Sequence, residues 1–320
     1  MKKTWLCIFV AVSLTTAAAY AQDYPTRPVR MIVPFAPGGP TDVIARIVAA
    51  KLSDAFRQQV VVDNRAGAGG NIGTGLAANA TPDGYTLLLV SSSFVVNPGL
   101  YAKIPYDPYK SFAPVSNLAA APNVFVVHPS VAAKSLQELT KVIQGATKKY
   151  SFATPGIGTT PDLSAALFRL ATKLDVTTIP YNGAGPAIAA VLANQVSLGC
   201  MAMPGVTPHI RSARLRALAV TSAARSAAMP DVPTTGESGF PGQEADTLQA
   251  LLVPAGTPPA IVKSLHASVV RIMAQPDVKE RVVTLGYDII ASSPGELSAQ
   301  IRREVTKWSK VVKDAGIAVE

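Results

Sequence analysis

Cysteine is nearly absent from this chain. Cys7 lies in the first apolar stretch and Cys200 is the other of two, so a chain that loses its start cannot close an internal disulfide. Cys200 sits in the apolar run Val196–Met203 with no basic neighbour, which fits a small buried hydrophobe better than a reactive thiol. Histidine is almost as scarce: His128, His209 and His266 stand alone, without zinc-type spacing. No Ser carries the G-x-S-x-G surround of a nucleophile elbow, and no G-x-x-x-x-G-K-[ST] phosphate loop occurs. The Gly-rich stretch 67–75 lies too far past its strand for a dinucleotide fingerprint. These gaps argue against an enzyme and against a metal or cofactor. Charged residues make up 15% and aromatics 6% of the chain, and no basic run is interleaved with aromatics, which excludes a nucleic-acid stripe. Beyond the first residues, no apolar run is long enough to cross a bilayer.

What is present begins with a leader. Lys2 and Lys3 precede the largely apolar Leu6–Leu14, and Ala19-Tyr20-Ala21 forms an A-x-A cleavage site before Gln22. Residues 1–21 therefore read as a cleaved signal peptide, with no Cys after the cut to carry a lipid anchor. The formal charge of +9 falls to +7 without Lys2 and Lys3, a surplus that favours anionic solutes.

Short runs rich in Val, Ile and Leu alternate with helical patterns, which implies parallel sheet covered on both faces. The unit occurs twice. Phe35-Ala-Pro-Gly-Gly-Pro-Thr-Asp42 and Phe152-Ala-Thr-Pro-Gly-Ile-Gly-Thr-Thr-Pro-Asp162 each close a strand, turn through Pro and Gly, and open a helix with Thr and Asp in its first turn. Each is followed by a second strand and glycine turn, Asp63–Gly70 and Tyr181–Pro186, and then by a third strand, Leu87–Val90 and Val196–Met203. We expect two similar α/β lobes, residues 22–122 with 249–320 and residues 123–248. Asn123–Val127 and Leu248–Val253 are expected as crossovers, Ser222–Asp246 as a surface loop, and 259–274, 276–285 and 294–315 as helices around a short strand at 287–290.

A Gly-Pro turn entering a helix at the carboxyl end of a strand is an anion site in waiting. Gly38, Gly39, Gly156 and Gly158 lack a Cβ and let an oxygen approach the backbone, while Thr41, Thr159 and Thr160 offer hydroxyl donors. Thr41 and Thr159 also suit plain helix capping, and Asp42 and Asp162 are assigned to capping and loop support rather than to an anion.

At these residues the chain resembles the receptor proteins of tripartite tricarboxylate transporters, the Bug family of periplasmic binding proteins. The resemblance runs through Tyr24–Arg30, Ile32–Gly39, Val62–Gly73, Pro82–Thr86, Asn97-Pro98, Leu100-Tyr101, Phe112–Val115, Gly156–Thr160, Leu215–Ser222, Asp231–Thr234 and Pro254–Pro258. It implies a type II periplasmic-binding-protein fold with two α/β lobes closing on a ligand, no cofactor or metal, and membrane transporter components as partners. A monomer is expected. The resemblance further implies that the loops carrying Phe35, Ala36, Pro37, Gly38, Gly39 and Thr41, and Gly156, Gly158, Thr159 and Thr160, hold a ligand carboxylate. Ser91, Ser92 and Ser93, with Tyr181 and Gly183, are expected along the same cleft. Where family members carry Asp and Asn, this chain reads Cys200-Met-Ala-Met-Pro204, so a ligand ammonium would lose its counter-ion. We therefore expect an aliphatic or aromatic mono- or dicarboxylate rather than an amino acid, with Met201 and Met203 either as an adaptable apolar wall or as ordinary core. A sensing subunit for a signalling partner would use the same fold and site.

Overall fold

The computed structural model describes residues 24–147 and 149–317; the signal-peptide reading at 1–21 lies outside them. The elements in chain order are β1 (Val29–Val33), α1 (Pro40–Phe56), β2 (Val60–Asn64), α2 (Asn71–Ala78), β3 (Thr86–Val90), α3 (Ser93–Leu100), β4 (Phe112–Val127), α4 (Leu136–Gln144) and β5 (Tyr150–Thr154). There follow α5 (Thr160–Thr172), β6 (Val176–Pro180), α6 (Ala184–Leu192), β7 (Leu198–Ala202), α7 (Met203–Arg211), β8 (Arg216–Val220), β9 (Asp246–Pro254), α8 (Pro259–Met273), α9 (Pro276–Thr284), β10 (Asp288–Ile289) and α10 (Pro294–Ala315).

The strands run β2-β1-β3-β9-β4-β7-β5-β6, with β8 and β10 also paired to β4. Two halves of one pattern are visible in that order. On one side, β1 pairs in parallel with β2 and β3, and β9 runs antiparallel between β3 and the first part of β4. On the other, β5 pairs in parallel with β6 and β7, and the second part of β4 runs antiparallel between β7 and β8. The strand β4 thus serves both lobes: Phe112–Pro122 follows β9, and Asn123–Val127 lies between β7 and β8.

Two expectations change here. Leu248–Val253 is not a crossover but the antiparallel strand of the first lobe, in the place that Asn123–Val127 holds in the second. Their likeness in sequence reflects this shared environment, flanked on both edges and buried on both faces. The segment after β8 has no helix or strand, yet it is not a free surface loop. Met229 packs into the second lobe, Thr235 N donates to Val220 O at 2.8 Å, and Ala245 N donates to Thr221 O at 3.0 Å.

Each sheet has a core on both faces, as parallel strands require. In the first lobe α1, α8 and α9 cover one face through Ile44, Val48, Leu265, Val269 and Val282, and α3 and α10 cover the other through Phe94, Leu100, Ile301 and Trp308. In the second, α4 and α5 bring Leu139 and Phe168 to one face, and α6 and α7 bring Val191 and Val206 to the other. Leu163 of α5 is the exception. It is fully buried in the first lobe's α3–α10 cluster, so the two lobes share apolar contact behind the cleft.

Candidate functional site

The two strand-to-helix turns are built alike. Val33 ends β1, the chain turns through Gly38 at φ +80°, where a Cβ would be strained, and α1 starts at Pro40. Gly38 N donates to Asp42 Oδ2 at 2.8 Å, Asn64 Nδ2 donates to Asp42 Oδ1 at 2.9 Å, and Asn64 Nδ2 also reaches Phe35 O at 3.0 Å. In the second lobe Gly158, at φ +73°, donates its N–H to Asp162 Oδ2 at 3.1 Å, and Thr154 Oγ1 donates to Asp162 Oδ1 at 2.9 Å. In both loops an aspartate in the first helical turn holds the amide four residues before it. Both carboxylates are thereby spent on loop shape.

Their electrostatics differ. Burial opposes ionisation of Asp42, but the hydrogen bond from Arg46, with those from Gly38 and Asn64, holds its carboxyl below the usual range. Burial of Asp162 prevails over the bonds from Gly158 and Thr154, and pushes its carboxyl up. Arg46 lies beside Asp42 at 2.8 Å, whereas Asp162 has only the more distant charge of Arg169 to oppose its burial.

Helix capping does not absorb the threonines. The residue before α1 is Gly39, not Thr41, and Thr159 before α5 turns its Oγ1 back to Gly156 O at 2.8 Å instead of capping its helix. First-turn amides have no carbonyl partner within their own helix, so those of Thr41 and Thr160 remain available to a ligand. A proline occupies the first or second helical position in each case, where its missing N–H costs nothing.

Two further turns converge here. Tyr181 N and Gly183 N donate to Thr154 O and Pro155 O at 2.9 and 2.8 Å, tying the turn before α6 to the turn before α5. In the first lobe Ser92 Oγ donates to Asp246 O at 3.1 Å and accepts from Leu248 N at 3.0 Å, locking the turn after β3 to β9. The resulting cleft holds about 430 Å³ between the lobes. It meets the starts of α1, α3, α5 and α6, each with a positive dipole end. No charged side chain lines it.

Of the residues expected at the site, Phe35, Gly39, Thr41, Ser91, Ser92, Ser93, Gly156, Thr159, Thr160, Tyr181 and Gly183 border this cleft. Ala36, Pro37 and Gly38 do not; they form the exposed outer tip of the first turn. Gly158 is buried against Leu100 of α3. Met203 is a correction. It opens α7 and is fully buried with Val124, Ala187 and Val206, and Met201 packs in the same cluster, so neither forms a wall of the cleft. Phe35, Tyr181, Ala184 and Ala202 supply the apolar surface instead.

Sequence reasoning missed Pro40, Pro155, Pro161, Asn182 and Ala184, which adjoin residues it named, and Gly69, Ala202, Thr247 and Gln249. Thr247 and Gln249 carried a signal: after the opening Asp246 they are the polar positions in an otherwise apolar strand β9. Their side chains share one face, opposite Leu248 and Ala250 of the α3–α10 core.

Two lobes of repeated topology, joined through one long strand and closing on a cleft of glycine turns and helix starts, define a solute-binding receptor of the periplasmic type. The chain belongs to the tripartite tricarboxylate transporter receptor family, whose description matches residues 44–317. It is 39% identical to Protein BugT of Bordetella pertussis over 97% of this chain and 95% of that one. The periplasmic binding protein BugD is similar at a TM-score of 0.82 and 36% identity, covering 92% of this chain and 100% of that one. Rpa4515 of R. palustris, whose structure holds adipate, is similar at a TM-score of 0.85 and 32% identity, covering 93% of this chain and 100% of that one. The family is one of solute-binding receptors, not of enzymes.

Proposed function

We propose that this chain captures a small carboxylate, aliphatic or aromatic and with an apolar middle, and delivers it to the membrane components of a tripartite tricarboxylate transporter. The observation that carries this reading is the meeting of several helix starts at a cleft without charged side chains. An anion is favoured there by the dipole ends and free first-turn amides, each aligned bond to a charged group contributing about 1.5–3 kcal/mol. An amino acid would have to bury its ammonium without a counter-ion, since Asp42 and Asp162 are turned to their own loops. The adipate held by Rpa4515 is a ligand of the chemistry proposed.

The carboxylate is gripped by the turns at Gly39–Thr41 and Gly156–Thr160, with Ser91–Ser93, Tyr181 and Gly183 around it. Residues 22–122 with 249–320 move as one body and 123–248 as the other, save that Asp246–Leu248 open β9 and go with the first lobe, about the strand passage at Pro122-Asn123 and the return after Ala245. The mature protein begins at Gln22 in the periplasm, acts as a monomer, and uses no cofactor or metal.

The test is a thermal-shift panel on residues 22–320, unfolded and refolded to remove carried ligand. Citrate, glutarate, adipate, benzoate, aspartate and glutamate are compared. At 100 times its dissociation constant a ligand adds about 2.7 kcal/mol of stability. Shifts with glutarate, adipate or benzoate and not with the amino acids support the reading; shifts with aspartate or glutamate alone overturn it.

A further inference from the structure

Helix α5 carries two apolar stripes. Ala165 and Phe168 pack into the second lobe's own core, whereas Leu163 is fully buried, and Leu167 partly buried, in the α3–α10 cluster of the first lobe. At about 100° per residue these two pairs lie on opposite sides of the helix. Thr160, on the side of Leu163, meets Thr247 of the first lobe, and in the last turn Arg169 Nη2 donates at 3.3 Å to O of Ala315, the final residue of α10. From first turn to last, over about 20 Å, α5 is thus fastened to the first lobe by a hydroxyl pair, two leucines and a guanidinium. Arginine suits its place because the carboxyl ends of two helices meet there, each with a partial negative charge. The matching helix is not built this way: α1 buries Ile44, Ile47, Val48 and Leu52 within the first lobe alone.

The asymmetry bears on binding because the first turn of α5 borders the cleft through Thr160 and Pro161, while Leu163, Leu167 and Arg169 do not. Where the free amides of that turn stand is decided by how α5 sits on α3 and α10 as well as by the second lobe. We propose that Leu163, Leu167 and Arg169 are positioning residues: they form a seam that holds the lobes closed on the ligand, and so set its affinity without touching it. The inference rests on the carboxylate reading of the cleft and on the two-body motion, and adds the contact that decides how easily the lobes part. Parting them withdraws Leu163 from an apolar core and leaves the last carbonyls of α10 without their cation. Apparent affinity falls with the fraction of protein in the binding-competent form, so a weakened seam raises Kd although every group that meets the ligand is intact.

The experiment compares refolded 22–320 carrying Leu167→Ala, Arg169→Gln or Arg169→Lys with a control, Phe168→Leu, on the opposite side of the same helix. Glutarate, adipate and benzoate are titrated by calorimetry, and dissociation is timed by stopped flow. Thermal unfolding confirms that each variant folds, and small-angle scattering gives the radius of gyration without ligand. Leu167→Ala and Arg169→Gln are expected to raise Kd about three- to tenfold, mostly through faster dissociation, and to enlarge the radius of gyration. Arg169→Lys, which keeps the cation, recovers part of that loss. Phe168→Leu lowers Tm but leaves Kd within about twofold, since it touches the second lobe's core and not the seam. Binding by the seam variants as tight as that of the unaltered protein, or tighter, overturns the inference, and so does an equal loss in Phe168→Leu. If the unaltered protein binds none of the acids, the carboxylate reading fails and scattering judges the seam by itself: an enlarged radius in the seam variants upholds it, and an unchanged one overturns it.

Discussion

Thr160 Oγ1 at the start of α5 lies 2.6 Å from Thr247 Oγ1 in β9, a hydroxyl pair that joins the two lobes across the floor of the cleft. Around it Asn123 accepts from Thr247 and donates from Nδ2 to Ser164 Oγ at 3.0 Å and Ala245 O at 2.8 Å. Thr221 Oγ1 donates to Ala245 O at 2.6 Å. These groups sit where both chain passages leave one lobe for the other, so the polar network holds the lobes in register there. Substituting either threonine by valine removes the bridge at nearly constant volume. We predict that Thr247→Val and Thr160→Val each weaken ligand binding, by about 0.5–1.5 kcal/mol, and that the double variant loses less than the sum, as residues in direct contact do. Titration calorimetry on the four proteins measures the coupling; additive losses would contradict it.

Gly158 fixes the second contact between the lobes. Its φ of +73° disfavours any other residue, and an added Cβ would fall inside the Leu100 side chain of α3. Gly158→Ala is expected to cost about 1–3 kcal/mol, part of it as lost ligand affinity because Leu100 belongs to the opposite lobe. Leu100→Ala in the same background should recover part of that affinity. Urea unfolding and ligand titration separate the two effects.

The matched aspartates predict opposite pH behaviour. Asp42 has its folded pKa below the unfolded value of about 3.9, so its stabilisation is present above that pH and is lost as pH falls through the folded pKa. Asp162 has its folded pKa above the unfolded one, so it carries a penalty that is absent at low pH and grows as pH rises from about 4 until the folded pKa is passed. Relative to the unaltered protein, Asp42→Asn should therefore lose stability between pH 3 and pH 7, and Asp162→Asn should gain. Urea melts across that range give both signs.

Cys200 is fully buried in β7, and burial pushes its thiol well up. Among the described residues it is the free cysteine, so a thiol reagent at pH 8 is expected to leave native protein of residues 22–320 unmodified and to label one site per chain on unfolding. Stoichiometric labelling of native protein would show that β7 opens.

The repeat was legible because backbone demands leave a mark in sequence. Positive φ asks for Gly38 and Gly158, and a loop-holding carboxylate asks for Asp42 and Asp162, at the same spacing in both lobes. Strand β9 was harder to place, since a strand flanked on both edges and both faces reads alike in either lobe. Met203 was misplaced for a related reason: an apolar side chain at the end of a strand suits a cleft wall and a core equally, and here the start of α7 turns it inward. Gln249 was hidden because its meaning lies in what surrounds it, and only the packing of β9 against β3 and β4 shows a buried amide without a partner.

The central claim is that the cleft recognises carboxylate charge through helix starts and backbone amides. The most direct measurement is calorimetric titration of the refolded protein with glutarate and with its dimethyl ester, which keeps the carbon chain and removes both charges. The account predicts one-to-one binding of the diacid and no measurable binding of the ester. Equal binding of the two, or binding of the ester alone, would contradict it.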